Sequence, residues 1–253
     1  MPPQDAQKRF SNRVADYVRY RPSYPAGVID ALREVASLRP GVKVADVGSG
    51  TGISAALLLE VGCEVFAVEP NADMRHAAEV QLGGNARFHS IAAPAESTTL
   101  PDSSVHLVVS AQAFHWFDVA LARAEFSRIL IPGGFIALIW NVRQIDSTPF
   151  LRDYEALLRA YATDYALVRH ENVNDAVLQS FFTEGSYQTR TLPSSQRFDF
   201  AGLRGRLLSS SYTPAEGQPG HASMLGELRR IFEAHQQDGF VDILYDTEIH
   251  LGQ

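Results

Sequence analysis

A single cysteine, Cys63, occurs in 253 residues. That excludes an intrachain disulfide and predicts a reducing compartment, by default the cytoplasm. Cys63 lies in the turn into an apolar run and reads as a buried structural thiol. No stretch reaches the roughly 18 consecutive apolar residues of a transmembrane helix, so no membrane partner is expected. The opening Met-Pro-Pro-Gln-Asp is polar and predicts no signal peptide. Positive charge is in deficit, with 22 Lys plus Arg against 29 acids and a net charge of −7. A general nucleic-acid binder would usually carry a basic face, so no nucleic-acid partner is predicted. There is no internal repeat, no low-complexity linker marking a second domain, and no predicted metal site.

What is present fits one globular domain with a sizeable core, at 45% hydrophobic and 20% charged residues. Phe10, Val14, Tyr17 and Val18 recur at helical spacing and predict an amphipathic helix over 5–20. Arg21-Pro-Ser-Tyr-Pro25 breaks it, and Pro25 opens a second helix whose apolar face is Ile29, Leu32, Val35 and Leu38. From residue 42 the pattern alternates. Strands read at 42–47, 64–68, 87–91, 105–110 and 135–140, and helices at 52–61, 72–81 and 119–130. Such alternation predicts an α/β fold with a parallel sheet covered on both faces. Pro132-Gly-Gly134 reads as a sharp stop before the strand at 135–140. Beyond Asn141 the rhythm lapses into helices at 149–161, 173–182, 200–208 and 224–235, a strand at 187–192, and an alternating late strand at 240–251.

The chain is organised around Val44-Ala-Asp-Val-Gly-Ser-Gly-Thr-Gly52, a strand that turns on glycines into a helix. Such a turn lets backbone N–H groups meet a ligand closely. The spacing, Gly48-x-Gly50-x-Gly52, is not the G-x-G-x-x-G of the dinucleotide fingerprint. Asp46, two residues before the first glycine, adds little to a pyrophosphate cradle but suits a cofactor carrying sulfonium and ammonium charges. Glu69 ends the second strand about twenty residues further on, where a carboxylate accepts bonds from ribose hydroxyls. Its alternative is a solvated strand-end acid. Ala95-Glu96, after the third strand, lies at the same edge.

These residues resemble the class I S-adenosylmethionine-dependent methyltransferases. The motifs that carry the resemblance are Asp46-Val-Gly48-Ser-Gly50-Thr-Gly52, Glu69-Pro-Asn71, Ala95-Glu96 and Pro132-Gly133-Gly134. Tyr20-Arg-Pro-Ser-Tyr-Pro25 and Phe114-His-Trp-Phe-Asp118 look like a small-molecule branch similar to trans-aconitate methyltransferase. The resemblance implies a Rossmann-like, doubly wound, mostly parallel seven-stranded sheet with an antiparallel last strand. It divides a single domain into a helical lid (1–40), a cofactor-binding core (41–140), a cap (141–240) and a last core strand (241–253). It further implies that Gly48, Gly50 and Gly52 line the methionine part of S-adenosyl-L-methionine, with Asp46 supporting the loop. Glu69 would hold the ribose, Asn71 and Met74 would flank the adenine, and Ala95 and Glu96 would meet its polar edge. Ala111 and Gln112 would sit near the sulfonium. Many relatives carry an acid where His106 stands, a departure that bears on local packing.

For the acceptor the residues leave choices open. His115 either deprotonates or orients an acceptor, or bonds the backbone of its own loop. Trp116 and Phe117 either wall a pocket or anchor that loop. Arg21 with Tyr17, Tyr20 and Tyr24 is either a carboxylate-binding cluster or surface packing. No Asn/Asp-Pro-Pro-aromatic sequence follows the fourth strand, which further lowers the case for a DNA or RNA base. The expected reaction is methyl transfer to an oxygen, carboxylate or hydroxyl, of a small molecule. The alternatives are a cofactor-binding module without transfer, or a nicotinamide-dependent oxidoreductase. Oligomeric state is not legible.

Overall fold

Val44, Ala45 and Val47 are fully buried on β1 (Lys43–Val47), the near-continuous apolar run of a strand covered on both faces. The computed structural model describes residues 19–162, 175–182 and 187–253. The helix expected at 5–20, with Tyr17, lies almost wholly outside these residues. Beside β1 run β2 (Glu64–Val68) and β3 (Phe88–Ile91) on one side and β4 (Val105–Ala111) on the other, all parallel. Next come β5 (Leu130–Arg143), then β7 (Val241–Gly252) antiparallel to both β5 and the edge strand β6 (Tyr187–Phe198). The order is β3-β2-β1-β4-β5-β7-β6. The seven-stranded sheet with an antiparallel last strand is thus as expected.

Helices cover both faces. α1 (Gly27–Ala36) and α2 (Ile53–Val61) pack Val28, Leu32 and Leu58 against Val44 and Val65. On the opposite face α4 (Val119–Ile129) and α6 (Asp175–Phe181) pack Phe126, Ile129 and Phe181 against Val108 and Leu138. α3 (Ala72–Leu82) follows β2 and buries Met74 and Ala78. No helix among the described residues is long and apolar enough to cross a membrane.

Two strands outrun the sequence reading, each for a physical reason. β6 continues past Pro193, which pairs in register with Asp246, because an edge strand leaves the missing N–H of proline facing outward. β5 pairs from Leu130 onward, and Pro132-Gly133 is absorbed at a register shift opposite Val105 to Leu107 rather than acting as a clean stop. The extended ends of β6 and β7 carry a third core. There α5 (Pro149–Tyr161), α7 (Phe200–Leu208) and α8 (His221–His235) pack Leu158, Leu203 and Leu228 against Ile243 and Tyr245. α5 begins where expected because Thr148 accepts the Leu151 amide and Pro149 occupies the first turn.

Candidate functional site

Strand order reverses beside β1, which has β2 on one flank and β4 on the other. In open α/β sheets ligands bind at such a switch point, outside the carboxyl ends of the strands. Here a cavity opens between the loop after β1 and the loop after β4. Gly48, Ser49, Gly50, Thr51, Ile53 and Ser54 form one wall, and Glu69, Pro70, Asn71 and Met74 a second. Ala111, Gln112, Ala113, Trp116, Phe117 and Tyr24 complete it.

The glycines divide their work. All three have positive φ, at +72° for Gly48, +57° for Gly50 and +87° for Gly52, which L side chains rarely adopt. A Cβ on Gly48 would stand 2.3 Å from the Cβ of Ala113, so this glycine lets the two loops touch across the switch point. A Cβ on Gly52 would stand 2.7 Å from Leu82 and 3.2 Å from Ala78, so this one lets α2 approach α3. Gly52 is off the cavity wall. Of the three, Gly50 alone has room for a Cβ, which would meet Met74 at an ordinary 3.6 Å.

Glu69 fastens that loop. Its Oε2 accepts the Gly50 amide at 2.9 Å and its Oε1 the Asn71 amide at 2.8 Å. Each carboxylate oxygen has a further lone pair for a ligand hydroxyl. Burial pushes the Glu69 carboxyl above the usual range, opposed by the two amides and by Arg75. Asn71 caps α3, its side-chain oxygen accepting from Asp73 and Met74, so its position on the wall is fixed.

Asp46 lies behind the loop rather than on the wall. It is 1% exposed and accepts the Ser54 hydroxyl at 2.7 Å, which pins the first turn of α2. Burial raises its carboxyl to about 7, against the Ser54 bond and with a further push from Glu69. The arrangement matches loop support and does not bring Asp46 to a ligand's charges.

The remaining expected residues scatter. Gln112 lies on the wall with φ +60°, its amide bonded to the Ile139 carbonyl and its side chain to the Asn141 carbonyl. A non-glycine residue in this region is strained, and such strain clusters at functional sites. Ala95 and Glu96 are off the wall. Glu96 instead accepts the Asp118 amide at 2.8 Å and ties its loop to the cap of α4. His115 is also off the wall, its ring 4.9 Å from that of Trp116, whereas Trp116 and Phe117 form part of it. Of the described members of the tyrosine cluster, Tyr24 reaches the cavity and Tyr20 does not. Tyr20 packs on Gly205 of α7, where a Cβ would come within 2.1 Å of its ring, and Arg21 donates to the Ser209 carbonyl. Tyr17 lies outside the described residues. His106 lies far from all this, its Nδ1 accepting the Lys43 amide.

Ser49, Thr51, Ile53, Ser54, Pro70 and Ala113 line the cavity without having been expected there from the sequence. Thr51 carries a usable signal: its Oγ1 is fully buried without a hydrogen-bond partner. An orphaned hydroxyl on a ligand cavity is met when a polar ligand group fills the space. Glu69 on the same wall could accept ribose hydroxyls and the apolar Met74 could lie against a base, so the residues present fit S-adenosylmethionine.

A methyltransferase domain model matches residues 45–138. The uncharacterized methyltransferase Rv3342 of Mycobacterium tuberculosis is 40% identical over 139 residues, 55% of this chain and 54% of that protein. The uncharacterized methyltransferase GK2543 of Geobacillus kaustophilus is 31% identical over 61% of this chain and 68% of its own length. The chain thus spans about half the length of the first of these relatives. Among solved structures, a chain from Anaeromyxobacter dehalogenans titled a type II methyltransferase superposes with a TM-score of 0.71 at 24% identity, covering 92% of this chain and 98% of that one. A phosphoethanolamine N-methyltransferase of Haemonchus contortus, solved with S-adenosylhomocysteine, gives 0.55 at 14% identity, covering 99% of this chain and 58% of that one. Both share the fold. Domain model, relatives and cavity agree on S-adenosylmethionine as cofactor, and the chain belongs to the class I S-adenosylmethionine-dependent methyltransferases.

Proposed function

We propose that the protein transfers the methyl group of S-adenosylmethionine to a carboxylate oxygen of a small molecule in the cytoplasm, as in the branch similar to trans-aconitate methyltransferase. The cofactor supplies a methyl carbon activated by a positive sulfonium. An acceptor oxygen gives its lone pair to that carbon, the carbon–sulfur bond breaks, and its electron pair neutralises the sulfur. A carboxylate acceptor has no proton to lose, whereas a hydroxyl needs a base.

The observation that carries this reading is the position of His115 outside a cavity walled by Tyr24, Trp116 and Phe117. With no imidazole among the described residues of the wall, acceleration rests on holding the acceptor in line and excluding water, work suited to rigid aromatic walls. His115 then acts by positioning Trp116. The acidic net charge supports a small-molecule acceptor over a nucleic acid.

Calorimetry with S-adenosylhomocysteine and NAD, followed by labelled-methyl assays on small acids and phenols, tests the reading. We expect tight S-adenosylhomocysteine binding and label in base-labile esters. Binding of NAD alone would sink it. Label appearing only on phenols would move the acceptor to hydroxyls, and cofactor binding with no acceptor labelled would favour a module without transfer.

A further inference from the structure

Arg206, on α7, is 6% exposed, and no carboxylate among the described residues pairs with it. Its Nε donates to the Tyr245 hydroxyl at 3.3 Å and its Nη1 to the Ser210 hydroxyl at 3.2 Å. Both partners are neutral, and Nη2 makes no hydrogen bond among the described residues. Glu155, the buried carboxylate of the same layer, is already engaged by Arg143 and by Arg159 at 2.8 Å. A guanidinium stays charged in proteins, and a buried charge is ordinarily paired because its desolvation is expensive. An arginine held in a fixed orientation by hydroxyls, with donors to spare and no anion among the described residues, is arranged for an anion that arrives from outside.

Hydrogen bonds tie this position to the cofactor cavity. Gln112 on the wall donates to the Asn141 carbonyl, and Asn141 Nδ2 donates to the Ser23 carbonyl beside the wall residue Tyr24. At the other end of that segment, the Tyr20 carbonyl accepts from Gln196, whose Oε1 accepts the Tyr245 hydroxyl. Tyr245 is one of the two residues that orient Arg206. The segment from Tyr20 to Tyr24 therefore has the cavity at one end and the Arg206 cluster at the other.

We infer that Arg206 is the anchor for a carboxylate of the methyl acceptor, a site distinct from the oxygen that is methylated. This rests on the reading of the protein as a small-molecule methyltransferase. A guanidinium fork occupies the oxygen lone pairs that attack requires, so the anchored carboxylate is a handle and the acceptor carries a second oxygen that reaches the sulfonium. The substrate class is then a small acid with two oxygen functions, one of them an ionised carboxylate.

The test is titration of the full-length protein, saturated with S-adenosylhomocysteine, with succinate, glutarate and benzoate, against succinamide and benzamide as uncharged controls. We expect at least one acid to bind, its amide not to bind, and Arg206→Gln to weaken the acid roughly tenfold or more. Arg206→Lys should restore part of the loss, with S-adenosylhomocysteine affinity unchanged in both variants. Wild-type acid affinity in Arg206→Gln, or no acid binding to the wild type, overturns the anchor. Should both arginine variants fail to fold, Tyr245→Phe decides: weaker acid binding with intact cofactor affinity supports the anchor, and unchanged acid affinity overturns it. Loss of the anchor with cofactor binding intact leaves the methyltransferase reading standing, whereas failure of the wild type to bind S-adenosylhomocysteine removes that reading itself.

Discussion

The Gly50 amide donates to Glu69 Oε2 at 2.9 Å, so the glycine loop after β1 and the acid after β2 are one unit. With Oε1 on the Asn71 amide, the carboxylate needs an acceptor at both ends. Glu69→Gln puts an NH₂ against one of these amides, leaving two donors facing each other. We expect it to weaken S-adenosylhomocysteine binding by about 1–3 kcal/mol, close to the effect of Glu69→Ala. Calorimetry checks this, and an affinity equal to wild type would remove Glu69 from the site.

Substitution of the glycines separates packing from ligand contact. Gly48→Ala drives a methyl to 2.3 Å from Ala113 at φ +72°, while Gly50→Ala meets only Met74 at 3.6 Å. Gly50→Ala should then cost about 1–2 kcal/mol for its left-handed backbone and a larger share of cofactor affinity. Gly48→Ala should cost more stability than that, and Ala113→Gly in the same chain should recover part of it. Thermal melts of the three variants read the order. No recovery in the double variant would mean that the two loops do not press on each other.

The strand–glycine–helix unit and the alternation through β5 were legible because each rests on local pattern: apolar runs for buried strands and glycine at the turn into the helix; that Asn71 caps α3 was not. The division of labour among the glycines was not legible, since Ala113, Ala78 and Leu82 meet them from distant parts of the chain. Arg21 and Tyr20 look like ligand residues in sequence, yet they staple their segment to α7, a contact set by the packing of the third core. Glu96 shows the same limit, because a loop acid reads alike whether it faces an adenine or the amide of Asp118.

Two buried acids give stability opposite pH slopes. Burial raises the Asp46 carboxyl from 3.8 to about 7, so the folded state holds that proton more tightly than the unfolded chain. Its contribution falls as pH rises from about 4 to about 7 and stays unfavourable above. Asp46→Asn keeps an acceptor for Ser54 and should flatten this limb, gaining stability relative to wild type at pH 8. Glu125 moves the other way. The Arg128 guanidinium holds it near 2, against burial and with help from Thr98. Its contribution is complete above about 4.5 and is lost as pH falls toward 2, a limb that Glu125→Gln should remove. Urea melts from pH 3 to 8 measure both slopes, and parallel curves for wild type and Asp46→Asn would refute the buried-charge account.

Gln112 holds φ +60° at the end of β4 while its side chain reaches the Asn141 carbonyl. Replacement by alanine or by glycine removes the same side-chain bond, so a comparison of the two isolates the backbone. In ordinary strand or helix positions alanine is the more stable, by roughly 0.5–1 kcal/mol. Here the left-handed backbone penalises alanine by about 1–2 kcal/mol, so Gln112→Gly should match or exceed Gln112→Ala in stability. Both should lose cofactor affinity alike, because both remove the same part of the cavity wall. Chemical denaturation gives the first comparison and calorimetry the second. A stability order favouring alanine would show that the backbone relaxes out of the left-handed region once the side chain is gone, and that the bond to Asn141 imposes the strain.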